Sequence, residues 1–379
     1  MAVRKPHERR ADRAIPGLFR KFELYAARVV KAELFEYSLP DERIAKHPPD
    51  LRDGGRMLVL EGERITHASV RELPSWVAAG ALFVFNDTRV RRARIFGVRP
   101  SGGRVEFLML GPSRAREGTR ERWRALGRAS KALLPGARVR ALDLAIEVIG
   151  KEPDNGVLDL QIESAEPVEV VLERAGEVPI PPYLGRDAEA LDLERYQTVY
   201  ARRTASVAAP TAGLHFTEAL LEALGDRGVC VARLELEVGI GTFRPVTADD
   251  LDQHPMHEEH FVIGPELVQA IQEAREREAP VVAVGTTVVR ALESARDPAR
   301  PGHVLAGARS TRLLIQPGYS FSVVDGLFTN FHQPRSTLLA LVAAFAGYSE
   351  TMAAYRAALG ADYRFLSYGD AMWIPQRKA

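Results

Sequence analysis

The chain has 379 residues, 46% of them apolar and 27% charged, with a formal charge of +1. This is the composition of an ordinary soluble globular protein, long enough for two domains. Its one cysteine, Cys230, excludes an intrachain disulfide and a multi-cysteine metal site and fits a reducing, cytoplasmic setting. The longest strongly apolar run, residues 338–346, is far too short to span a bilayer and reads as a buried helix.

Charge is unevenly spread. Residues 1–31 hold nine Lys and Arg against three acids, which leaves the remaining chain with 42 basic and 47 acidic groups. An acidic body argues against a general nucleic-acid coat, so RNA binding requires local basic patches. Residues 1–30 lack an apolar core segment and are not a secretory signal. They read as a disordered basic extension, with a basic RNA-binding arm and a translation start at Val30 as the other readings.

The first compact segment begins near Glu33. Residues 57–60 and 81–85 are short apolar runs bounded by glycine and polar residues, hence strands. From about Arg92 to Val178 the texture is that of short strands broken by Gly, Pro and Asp-Asn-Gly, a small all-β module with little helical signal. Residues 179–182 read as a stiff Pro-rich linker. Thr217 is placed as the N-cap of a helix over 218–224. Beyond it, Pro265 opens a helix through 278, residues 281–284 form a strand, 288–295 a helix, and 349–359 a helix capped by Ser349 with Gly360 past its end. The predicted fold is mixed α/β (α+β). A discontinuous α/β domain, residues 31–91 and 179–379, carries an inserted barrel-like β module, residues 92–178.

Several motifs carry chemistry. The loop from Ser206 to Thr217, with Thr211, Gly213 and His215, combines small residues, one imidazole and a helix start. Small residues allow close backbone approach, and helix-start amides favour anions. Packing explains the same loop equally well. Gly285-Thr286-Thr287 lies between a strand and a helix and offers amides and hydroxyls without a dinucleotide or P-loop pattern. Gly239-Ile-Gly241-Thr242-Phe243 is either a close approach to ligand or a β-bulge. The cluster of His254, His257, Glu258 and His260 matches neither zinc-helix spacing, and Pro255 opposes a helix through it. Asn330 and His332 supply donors and acceptors for a heterocycle or sugar. Tyr363 to Met372 brings aromatics, Arg364 and Asp370 together in a segment that otherwise reads as a terminal strand. Arg89, Arg91, Arg92, Arg94 and the run from Arg114 to Arg128 are candidate phosphate contacts, although most such runs are solvated faces.

Taken in order, these stretches closely resemble one family. They are Asn86-Asp87-Thr-Arg89, Tyr196-Gln197-Thr-Val-Tyr200, Ala209-Pro-Thr211-Ala-Gly213-Leu-His215-Phe216, Gly239-Ile-Gly241-Thr242-Phe243, His254-Pro-Met-His257-Glu258, Gly285-Thr286-Thr287, Thr329-Asn330-Phe-His332 and Tyr368-Gly-Asp370-Ala-Met372. The resemblance is to the S-adenosylmethionine:tRNA ribosyltransferase-isomerases of queuosine biosynthesis, and it covers about residues 33–374. It implies transfer of the ribosyl part of S-adenosylmethionine, a substrate rather than a cofactor, onto 7-aminomethyl-7-deazaguanine in tRNA. It implies no metal, no membrane and a monomer. It makes His215, Asp87, His332 and Asp370 the candidate acids and bases. Arg89, Tyr196, Gln197, Thr211, Gly213, Gly241, Thr242, His257, Glu258, Thr286, Thr287, Asn330 and Tyr368 become candidate substrate contacts. Three positions depart from the family pattern: Glu237 stands for His, Gln333 for Leu and Ala205 for Gly. A noncatalytic RNA-binding protein and a His-rich metallohydrolase are the competing readings.

Overall fold

The structure is a computed structural model that describes residues 30–153, 155–239, 246 and 248–378. Its main body is a mixed nine-stranded sheet in the spatial order Gly307–Thr311, Glu259–Ile263, Cys230–Leu236, Leu82–Asn86, Val281–Val284, Gly326–Asn330, Ala371–Ile374, Arg56–Glu61 and Arg64–Ser69. The four strands from Cys230–Leu236 to Gly326–Asn330 run parallel. The central strands are apolar at successive positions because both faces are covered. Leu82, Val84, Val281 and Ala283 face one core, under the helices Pro265–Glu276, Thr286–Ser294, Thr337–Ala346 and Tyr348–Gly360. Phe83, Phe85, Val282 and Val284 face the other, with Phe216, Leu220 and Trp373.

The second unit is a closed antiparallel barrel in the order Leu158–Glu163, Arg120–Ala129, Arg104–Glu117, Arg94–Val98, Arg138–Ala141 and Leu144–Lys151. It encloses Phe107, Trp123 and Leu160. The mixed α/β architecture with an inserted β-barrel is therefore present as expected. Arg91 ties the barrel to the sheet. Its buried guanidinium pairs with Glu169 at 2.9 Å, donates to the carbonyls of Leu110 and Ala205, and lies over the Trp123 ring. Arg92 donates to the carbonyls of Glu173 and Gly176, and Arg94 pairs with Glu106 and Asp187.

Some elements differ from expectation. A helix, Val168–Ala175, follows the last barrel strand where little helical signal was read. The helix predicted at 288 begins at Thr286, because Gly285 at φ 100° turns the chain directly out of the strand. The helix predicted to be capped by Ser349 is Tyr348–Gly360, entered from Gly347 at φ 96°. Thr217 does cap Glu218–Asp226, accepting from the Leu220 amide at 3.1 Å. Ser336 caps Thr337–Ala346, which is the buried apolar helix. Among the described residues no single helix is long and apolar enough to cross a membrane. The basic extension over 1–29 and the segment with Gly241 and Thr242 lie outside the described residues.

Candidate functional site

The carboxyl ends of parallel strands are where α/β sheets place ligands. Here Val281–Val284 runs into Gly285 and Gly326–Asn330 ends on Asn330. Between them opens a cleft with about 700 Å³ of empty space, counting the part open to solvent. Thr211, Thr286, Thr287 and Asn330, predicted as substrate contacts, and His332, predicted as an acid or base, line it, together with Tyr183, Gln333 and Ser367. Among the described residues the helix Thr286–Ser294 starts on the cleft without a side-chain cap, which leaves its first amides for an acceptor. That helix is held in place by Arg290, paired with buried Glu259 at 2.6 Å, and by Glu293, which accepts from the amides of Ser322, Val323 and Val324.

At the cleft floor, the amide nitrogen of Asn330 donates to the Leu366 carbonyl and to His215 Nε2, each at 3.2 Å. A carbonyl can only accept, so the amide orientation is set by Leu366. His215 therefore accepts at Nε2 and carries its proton on Nδ1. Burial, with Arg364 and Arg52 nearby, pushes its pKa down to about 4, so the ring is neutral at pH 7. Asn330 Oδ1 is left as a buried acceptor with no partner among the described residues, available to an N–H or O–H of a ligand.

On the other side of the ring lies Asp370. Its Oδ1 accepts from the Arg56 amide at 2.9 Å and its Oδ2 from the Arg364 amide at 2.8 Å. Gly55 lies against both groups. A Cβ there would sit 3.5 Å from both His215 Nδ1 and Asp370 Oδ1. Sequence reasoning missed Gly55, whose only local signal is the Gly54-Gly55 pair ahead of a strand. His332 is fixed differently. Its Nε2 meets Thr329 Oγ1 at 3.0 Å, its amide donates to Tyr355 Oη at 2.9 Å, and its carbonyl accepts from Tyr37 Oη. Burial pushes its pKa down to about 3.

Other predicted residues lie away from this cleft. Asp87 is buried beside Arg202, its Nε 3.9 Å away, and burial raises its carboxyl above the ordinary carboxylate pKa. Arg89 is exposed and 3.6 Å from Glu173. Gln197 is committed to the Val90 backbone, and Tyr196 is fully buried against Tyr368. Tyr368 donates to Asp192 at 2.7 Å. His257 and Glu258 precede the strand Glu259–Ile263, where Glu258 accepts from Ser310. Glu237 and Ala205 line a separate groove with Arg203, His260 and Arg309.

Gly213 is explained by packing. A Cβ would fall 2.0 Å from Tyr200 Oη and 2.9 Å from Thr198 Cγ2. Gly213→Ala is therefore expected to cost about 1–3 kcal/mol of stability by overpacking, read as a lower denaturant midpoint; an unchanged midpoint refutes this account.

A mixed sheet with a ligand cleft at its strand ends, a neutral buried imidazole beneath it and an inserted barrel defines a two-part enzyme of the α/β class. Comparison with known proteins is specific. A model of the family described as queuosine biosynthesis protein matches residues 32–374. The S-adenosylmethionine:tRNA ribosyltransferase-isomerase of Sorangium cellulosum is 51% identical over 370 residues, covering 91% of this chain and 98% of that protein. The enzyme of the same name from Pelobacter propionicus is 47% identical, covering 90% of this chain and 98% of that protein. The crystal structure of S-adenosylmethionine tRNA ribosyltransferase from Thermotoga maritima aligns with a TM-score of 0.50 at 34% identity, covering 90% of this chain and 99% of that one. The chain belongs to the S-adenosylmethionine:tRNA ribosyltransferase-isomerase family, transferase-isomerases of tRNA modification.

Proposed function

We propose that this chain moves and isomerises the ribosyl part of S-adenosylmethionine onto 7-aminomethyl-7-deazaguanine at the wobble position of tRNA. The products are epoxyqueuosine-tRNA, adenine and methionine. The observation that carries this reading is the neutral His215, buried directly behind Asn330, which lines the cleft and bonds its Nε2. The sulfonium acidifies the ribose protons beside it, so a base is required there, and adenine leaves more readily when a nitrogen is protonated. His215 and Asp370, converging over Gly55, are the titratable pair placed for this work. Asn330 now occupies the one lone pair of the His215 ring. Base action therefore begins when the ligand takes the Asn330 amide and frees Nε2. The ligand carboxylate fits the uncapped amides at Thr286 and Thr287, and Asn330 Oδ1 fits a ribose hydroxyl or the adenine amine. No metal or redox cofactor is required by these steps. The chain acts in the cytoplasm as a monomer.

Part of the tRNA face is assigned to the barrel. Within its arginine run, Arg116, Arg122 and Arg124 are paired with Glu121, Asp159 and Glu152. Among the described residues, no ion pair involves Arg114, Arg120 or Arg128, which leaves them for phosphate. Incubation with S-adenosylmethionine and tRNA carrying the aminomethyl base is expected to release free adenine. No adenine with a tRNA that a known enzyme of this family accepts would overturn the reading in favour of a noncatalytic RNA-binding protein.

A further inference from the structure

Two clefts lie near His215, and its buried ring lines neither. The cleft described above reaches Nε2 through Asn330. A second cleft, lined by Pro48, Pro49, Asp50, Leu51, Gly54 and Arg364, opens beside Gly55, which lies against Nδ1. Its wall is held rigid from beneath. Arg52 donates to the carbonyls of Gln197, Leu214 and Glu194, and Arg195 donates to those of Pro49 and Asp50. Carbonyls fix these guanidinia without cancelling their charge. The backbone of Arg364 is fixed too, since it exchanges hydrogen bonds of 2.8 Å each with Asp370. The Arg364 guanidinium itself has no hydrogen bond and no carboxylate within 4.0 Å among the described residues. The acids on these segments are exposed Asp50 and Glu194, Asp53 already paired with Arg71 at 3.0 Å, and Asp370 already bound to amides. Burial and the Arg195 charge both lower the proton affinity of Arg52, and together they outweigh the opposing Glu194 carboxylate.

We propose that this second cleft binds a backbone phosphate of the tRNA, with Arg364 as its cation, and so brings the nucleotide to the Nδ1 side of His215. The inference rests on the function proposed above and adds the place where the second substrate enters. A reaction that joins two substrates needs two approaches to one group, and only the nucleic acid supplies a row of anions to the basic one.

The test uses the full chain, a labelled anticodon stem-loop RNA and S-adenosylmethionine. Arg364→Ala is expected to bind the RNA several-fold more weakly at low salt. The slope of log affinity against log salt should fall by about 0.7, one contact on a single strand. Arg364→Lys should keep the slope, and calorimetric affinity for S-adenosylmethionine should stay at the wild-type value. The thermal midpoint should also stay, because the guanidinium has no protein partner. Wild-type RNA affinity and slope in Arg364→Ala would overturn the proposal. So would lost S-adenosylmethionine affinity with RNA binding intact, which assigns the cation to the methionyl carboxylate. If the wild type releases no adenine yet Arg364→Ala still lowers the slope, the phosphate site stands and the proposed reaction fails.

Discussion

Replacing His215 with alanine is expected to slow adenine release by about 100-fold or more, the size of effect that positioned acid–base groups provide, while S-adenosylmethionine still binds. The ring is 3% exposed, packs edge-on to Phe328 at 5.8 Å and, among the described residues, has a single hydrogen-bond partner in Asn330. Truncation therefore also costs about 1–3 kcal/mol of stability. His215→Gln, which restores volume but cannot titrate, separates the two effects. It should recover stability and leave adenine release slow. A rate near wild type in either variant, measured at saturating S-adenosylmethionine, removes His215 from the chemistry. The pH dependence carries a further signature. With a folded pKa of about 4 against about 6.5 unfolded, the folded state binds fewer protons. The stability linked to His215 is whole above pH 6.5. It is lost as pH falls toward 4, by up to about 3 kcal/mol. His215→Ala should flatten that part of the stability profile, leaving the contribution of His332, whose folded pKa is about 3.

Asp370→Asn is expected to be nearly as damaging. The carboxylate accepts one backbone amide on each oxygen, and Arg56 Nε stands 3.7 Å from Oδ2. An asparagine keeps one acceptor and turns an NH₂ group toward an N–H. A buried donor left without an acceptor costs about 1–3 kcal/mol. The same change removes the carboxylate that lies with His215 against Gly55, so adenine release should fall by about 100-fold. Chemical denaturation and single-turnover adenine release read the two effects separately. Lowered stability with an unchanged rate for the folded fraction would make Asp370 a clamp of the 56 and 364 backbones and nothing more.

Much of the frame was legible from local pattern. The apolar runs at 57–60, 81–85 and 281–284 are strands, Thr217 caps its helix, and the apolar stretch after Ser336 is buried. The segment after Tyr363 was read as a terminal strand, yet only Ala371–Ile374 is one. Residues 364–370 instead fold back so that Asp370 can accept the Arg364 amide, a contact six residues long that no alternation of apolar residues announces. The helix Val168–Ala175 was hidden because a short amphipathic turn beside six strands looks like more of the same texture. Of the arginines read as phosphate contacts at 89–94, Arg91, Arg92 and Arg94 are committed to carboxylates and carbonyls of the protein. A charge run cannot show whether its partner is solvent, RNA or a carbonyl about eighty residues away.

For the site the division is sharper. By itself the sequence determined the family, because eight weak motifs in one order are jointly specific, and it determined which residue types the site contains. Tertiary structure alone decided what those residues can do. His215 is neutral and protonated on Nδ1 because burial strips its solvent and Asn330, 115 positions away, takes its lone pair. Asp370 lies with it against Gly55 because the Arg56 amide, 314 positions away, holds the carboxylate there. Proton affinity and hydrogen-bond direction are set by desolvation and by partners brought in from distant segments. No local stretch of sequence contains either.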